Sequence, residues 1–153
     1  MNLDFNINDI QDKDWYIKRA RAEAKLCYDT PSTRKGRTWD DLYASYRQGH
    51  APEAYLIENF GYKDDTRKFK DVFNPNGESV EVKTTRNKSN VKIILNDLAN
   101  IKNDPKKAFR KIPNIVYMWL VDDIMTNYKY FGKFEWTRSF YRGYFKQTSK
   151  TSL

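Results

Sequence analysis

Asp71, Glu81 and Lys83 are the side chains whose types and spacing suit one piece of chemistry, the hydrolysis of a phosphodiester at a divalent cation. They fall as Asp71, nine intervening residues, then Glu81-Val82-Lys83. Between them Asn74-Pro75-Asn76-Gly77 reads as a type I turn, with proline at its second position and glycine at its fourth. Gly77 can take the left-handed conformation that closes a three-residue hairpin loop with a bulge. That register sets Asn74 against Glu78, Phe73 against Ser79 and Asp71 against Glu81. Side chains alternate along a strand, so Asp71, Glu81 and Lys83 share one face while Val72, Val80 and Val82 take the other. A two-residue loop would slide the pairing by one and set Asp71 against Val80. Carboxylates facing each other across a ladder repel, and a hard cation relieves the conflict. Mg²⁺, or Mn²⁺ in its place, takes oxygen donors, and the Val82 carbonyl could add one. Lys83 would position the attacking water, or take its proton if burial and nearby charge lowered its pKa. The competing reading is a surface hairpin whose charged face is simply solvated.

The elements around this hairpin follow from periodicity. Residues 1–11 are polar and read as a loose arm. Residues 12–27 carry Trp15, Ile17 or Lys18, Ala22 and Leu26 near helical spacing. Residues 29–37, with Pro31, Ser32, Thr33 and Gly36, read as a loop. Thr38 is a candidate N-cap, with Asp40 and Asp41 in the favourable first turn. Gly49 interrupts that helix, and Pro52 opens another whose apolar stripe (Ala54, Leu56, Ile57, Phe60) ends at Gly61. Residues 69–74 and 78–85 read as strands. Val91, Ile94, Leu95, Leu98 and Ile101 predict an amphipathic helix from Asn90, and a short basic helix follows Asp104-Pro105 to Lys111. The apolar run 114–121 reads as a strand buried on both faces. Residues 128–136 suggest one more, followed by an aromatic and basic tail. The expected fold class is α/β (α+β), a small mixed sheet flanked by helices.

Composition narrows the functional classes. A chain of 153 residues with 16% aromatics suits one folded domain. A formal charge of +8 favours a polyanionic partner, because phosphate neutralisation releases counterions. His50 and Cys27 are the only histidine and cysteine, which excludes Cys/His zinc sites and a disulfide framework and suits a reducing compartment. No apolar stretch resembles a signal peptide or a membrane span. The expectation is therefore a cytoplasmic protein with no membrane partner.

Asp71-x9-Glu81-Val82-Lys83 resembles the bipartite signature of the PD-(D/E)XK, or restriction-endonuclease-like, nuclease superfamily, and the Glu-Val-Lys-Thr ending of the second strand is a frequent form of it. Small phage or mobile-element members fit the size of the chain. The resemblance implies an αβββαβ core over about residues 38–125, with a helical arm at 1–37 and a basic, aromatic extension at 126–153, all in one domain. It implies a Mg²⁺-dependent endodeoxyribonuclease in which Asp71, Glu81 and the Val82 carbonyl hold the metal and Lys83 handles the water. An acid on the preceding helix often joins such sites. Glu53 matches that position, with Glu58 as its competitor. The family's first strand falls within Tyr62–Phe69, and Lys70 stands where the family often has proline. Small members often act as homodimers on duplex or branched DNA.

Phosphate contacts are expected from Arg86 and Lys88, just past the catalytic strand, from Arg34, Lys35 and Arg37 in the loop, and from Arg138, Arg142 and Lys146 in the tail. Residues 128–153 hold nine aromatic and six basic residues against the single acid Glu135, a mixture that suits stacking on bases or an ordinary core. Lys102, Lys106, Lys107, Arg110 and Lys111 form either another contact stripe or a solvated helix face. His50 either touches substrate or is structural. Two other functional classes fit: a non-catalytic nucleic-acid-binding module, and a small interaction or inhibitor protein using its aromatic tail.

Overall fold

A computed structural model describes residues 2–64, 72–138 and 143–153. Helix α1, Lys13–Tyr28, starts at Asp12, whose side chain accepts from Trp15 N at 3.2 Å, and buries Tyr16, Ala20, Ala24 and Cys27. The expected loop after it contains one helical turn, α2, Pro31–Arg34, stopped by Lys35 at φ 52°. Helix α3 runs unbroken over Trp39–Phe60, capped by Thr38 and ended by Gly61 at φ 72°. The expected division at Gly49 and Pro52 does not occur. Proline lacks the N–H that would meet the carbonyl four residues back, here Gln48, and the Tyr128 hydroxyl donates to that carbonyl at 3.3 Å. Burial of Ala51, Ala54 and Leu56 on the same stretch holds the helix together. Helix α4, Asn90–Ala99, buries Val91, Leu95 and Leu98 as its spacing predicts.

Among the described residues seven strands form one mixed sheet: β1 Phe5–Asn6, β2 Lys63–Asp64, β3 Val72–Phe73, β4 Ser79–Thr85, β5 Ile115–Val121, β6 Asn127–Arg138 and β7 Gly143–Ser149. Their order is β1-β6-β5-β4-β3-β2, with β7 also on β6. The chain is thus a mixed α/β fold. In sequence the elements run α3, β2, β3, β4, α4, β5, with β4 and β5 parallel and α4 crossing between them.

Two further expectations are corrected, and the tail gains a strand. The N-terminal arm is not loose: β1 pairs with Asn127 and Tyr128 of β6, and Phe5 stacks between Tyr55 and Tyr128. The Trp119 indole N–H also donates to the Leu3 carbonyl at 2.8 Å. The tail forms a full strand, β7, against residues 133–138 of β6. No helix spans 105–111. Asp104 accepts from Lys106 N at 2.9 Å through its side chain, an Asx turn that diverts the backbone from helix, and successive turns follow.

The two faces of the sheet are covered differently. Val80, Val82, Tyr117, Trp119 and Tyr128 pack in one core cluster with Tyr16 of α1 and Ala51, Ala54 and Leu56 of α3. Val116, Met118 and Phe134 pack on the other side with Val91, Leu95 and Leu98 of α4. A register shift between Met118 and Trp119 interrupts the β5–β6 ladder at Gly132. A bulge of this kind changes which side chains face which way, so Phe134 lies level with Val116 on the α4 side.

Candidate active site

The hairpin turn forms as its sequence requires. Asn74 N donates to Glu78 O and Gly77 N to Asn74 O, both at 2.9 Å, and Gly77 sits at φ 81°, where only glycine avoids strain. The Asn74 side chain, itself buried, accepts from Asn76 N at 3.1 Å and Glu78 N at 2.8 Å and locks the loop. Phe73 pairs with Ser79 and Val72 with Val80. That is the register expected for a three-residue loop. Asp71 lies outside the described residues.

Glu81 and Lys83 project from the same face of β4, where the register sets them level with Val116 and Met118 of β5. Lys83 Nζ lies 3.1 Å from Glu81 Oε1, and the two side chains are 37% and 30% exposed. Carboxylate and ammonium are therefore adjacent and within reach of a solute. Val82 points the other way, into the core shared with α1 and α3.

Glu53 does not join them. Helix α3 packs on the valine face of β4, so its inward side chains meet the side of the sheet opposite Glu81 and Lys83. Glu53 is 2% exposed and belongs to a polar chain between α1 and α3. His50 Nδ1 lies 3.0 Å from Glu53 Oε1, and His50 Nε2 lies 2.7 Å from Glu23 Oε1. Arg19 reaches Glu53 Oε2 at 3.7 Å and Asp64 Oδ1 of β2 at 2.7 Å. Burial works to depress the His50 pKa, but the hydrogen bonds and charges of Glu23 and Glu53 outweigh it and raise it to about 9. His50 is thus an imidazolium held inside the fold. Glu58 serves the fold too, accepting from Gln11 N at 2.9 Å and Asp12 N at 2.7 Å ahead of α1. Among the described residues no group of three His, Cys, Asp or Glu side chains is placed to hold a metal ion.

The expected phosphate contacts are dispersed. Arg34 and Arg37 brace their own turn, each Nε donating to the other's carbonyl at 3.1 Å. Arg34 also lies over Tyr28 at 3.8 Å, and Lys35 is exposed beside them. Arg86 is held by Gln48 at 3.1 Å, and Gln48 also donates to Thr84 at 3.1 Å. Both contacts lie on the α3 side. Lys88 lies over Phe131 at 5.9 Å, beside the α4 core. Lys146 is exposed on β7 opposite Glu135, and Arg142 lies outside the described residues. Among the described residues, Arg138 is the expected tail contact that gathers with others. With Lys102, Lys111, Ile112, Asn114 and Trp136 it lines a hollow of about 350 Å³.

Compared with protein-family models, curated proteins and solved structures, the chain has no match.

Two groupings escaped sequence reasoning. The Arg19–Glu23 and His50–Glu53 spacings place each pair on one helix face, but their meeting depends on how α1 packs on α3. The hollow joins the turn-rich segment after α4 to the far end of β6. Only the β5–β6 pairing, fixed by Trp136 N donating to Asn114 O at 2.9 Å, brings them together.

Proposed function

We propose that the chain is a Mg²⁺- or Mn²⁺-dependent endonuclease that hydrolyses DNA at the β3–β4 hairpin. One observation carries the reading: Glu81 and Lys83 stand together on the accessible side of β4, in a hairpin whose described register suits a bipartite acid and Glu-x-Lys pattern. Carboxylate and carbonyl oxygens suit a hard cation, so Glu81, the Val82 carbonyl and Asp71 are the residues that would hold it. The cation would supply Lewis-acid charge at the phosphate. Lys83 orients the attacking water and neutralises charge developing on the phosphate oxygens. Glu53 has no part in this site. The +8 charge draws the protein to its polyanionic substrate, the lone Cys27 suits action in the cytoplasm, and a homodimer would present one site to each strand of a duplex. No helix among the described residues is long and apolar enough to cross a membrane.

The test is strand scission on supercoiled, linear, single-stranded and branched DNA with Mg²⁺, Mn²⁺ or EDTA, beside Glu81→Gln. Metal-dependent cutting by the parent that Glu81→Gln loses is the expected result. A parent inert on every substrate with either metal would overturn the proposal. A second reading, a non-catalytic nucleic-acid-binding module, is favoured by the cationic hollow around Arg138. It requires DNA binding that survives EDTA without cleavage.

A further inference from the structure

The hollow at the N-terminal end of β5 has a composition of its own. Three cations, Lys102, Lys111 and Arg138, line it together with Asn114, Ile112 and the Trp136 indole, and no acid among the described residues does. None of the three cations pairs with a carboxylate among the described residues, while Lys102 is steadied by donating to the Ala108 carbonyl at 2.7 Å. Trp136 is fixed in place. Phe145 packs on it edge to face with ring centroids 5.0 Å apart, and a Cβ added at Gly143 would run into its ring. The glycine therefore lets the indole lie close on β7. A volume of about 350 Å³ falls in the range of small-molecule sites, about 300–1,000 Å³.

The hollow also lies on the same side of the sheet as Glu81 and Lys83. Glu81 is level with Val116, Val116 with Phe134, and Trp136 follows Phe134 by two residues on the same face. Two strand spacings across the sheet and two residues along β6 separate Glu81 from Trp136, about 12 Å. An indole beside an amide and three cations suits a base together with its phosphates. A paired base keeps its faces stacked inside the duplex and cannot offer them to an indole.

We propose that this hollow is a subsite for an unpaired nucleotide of the DNA strand, with Trp136 against the base and Lys111 and Arg138 on the flanking phosphates. The substrate class would be DNA with a single-stranded or displaced segment beside the scissile bond. The proposal rests on the nuclease reading for the identity of that bond, and on the hollow alone for binding.

The experiment is an anisotropy titration of the full chain in EDTA, with a labelled oligo(dT) and a hairpin duplex of similar length. The charge variant Lys111→Gln/Arg138→Gln and Trp136→Phe accompany the parent. Both charge changes are at exposed positions, so folding is not at stake in that variant. The expected result is tighter binding of oligo(dT) than of duplex. The charge variant should lose about tenfold or more on oligo(dT), with its log–log salt slope reduced by about 1.4, two phosphate contacts on a single strand. Oligo(dT) should quench the parent's tryptophan fluorescence, and Trp136→Phe should lose most of that quench. A charge variant that binds oligo(dT) as the parent does would overturn the subsite. Equal losses on oligo(dT) and duplex would overturn its preference for an unpaired nucleotide. The plasmid and branched-DNA cleavage assay judges the nuclease reading separately, so either can fail while the other stands.

Discussion

The chain Glu23–His50–Glu53–Arg19–Asp64 and the pair Glu81–Lys83 both join carboxylates to cations, on opposite sides of one sheet, and their surroundings separate their roles. The first lies between α1, α3 and β2, with His50 and Glu53 almost fully buried. Charges removed from water must pair within the fold, and losing one partner leaves another uncompensated. The pair on β4 keeps about a third of its surface, where an ion pair adds little stability and its members can meet a ligand. The difference teaches that an acid near a predicted hairpin is not thereby part of its site; the face of the sheet decides.

The largest effect expected from this contrast is on stability. Glu53→Ala should cost about 3–5 kcal/mol, the penalty for breaking a buried pair, in urea unfolding followed by circular dichroism. Lys83→Ala should stay within about 1 kcal/mol of the parent. Similar costs for both would erase the contrast. The next effect is a pH dependence. The His50 pKa rises from 6.5 to about 9 on folding, so its contribution is fully present below pH 6.5 and fades as pH rises through about 9. The size is roughly 3 kcal/mol by linkage. Unfolding free energies between pH 6 and 10 should show that decline, and His50→Gln should flatten it. The smallest effect is at the turn. Gly77→Ala should cost about 1 kcal/mol, because φ is 81° and a Cβ there meets nothing within 4 Å. A neutral result in thermal melts would mean that the left-handed turn does not set the hairpin.

Much of the fold was legible in local pattern. The spacing of Val91, Leu95 and Leu98 specified α4, the apolar run specified β5, and the Asn-Pro-Asn-Gly turn specified the β3–β4 register. Features set by distant partners were not legible. Gly49 and Pro52 signal a break, but Tyr128, 76 residues beyond Pro52 in sequence, satisfies the Gln48 carbonyl that the proline leaves. The polar N-terminus becomes strand because Phe5 finds Tyr55 and Tyr128. For the site, alternation along β4 correctly put Glu81 and Lys83 together and Val82 apart. It could not say which face α3 would cover, and Glu53 fell on the wrong side.

The measurement that bears most directly on the central claim compares initial nicking rates of Lys83→Ala and Glu53→Gln with the parent. Mg²⁺ is present throughout, at a temperature where circular dichroism shows all three folded. The expected result is a loss of about 100-fold or more for Lys83→Ala, the scale of a group acting on the attacking water, with Glu53→Gln within a few-fold of the parent. Lys83→Ala nicking at the parental rate, or Glu53→Gln losing as much as Lys83→Ala while folded, would contradict the assignment of the chemistry to the open face of the hairpin.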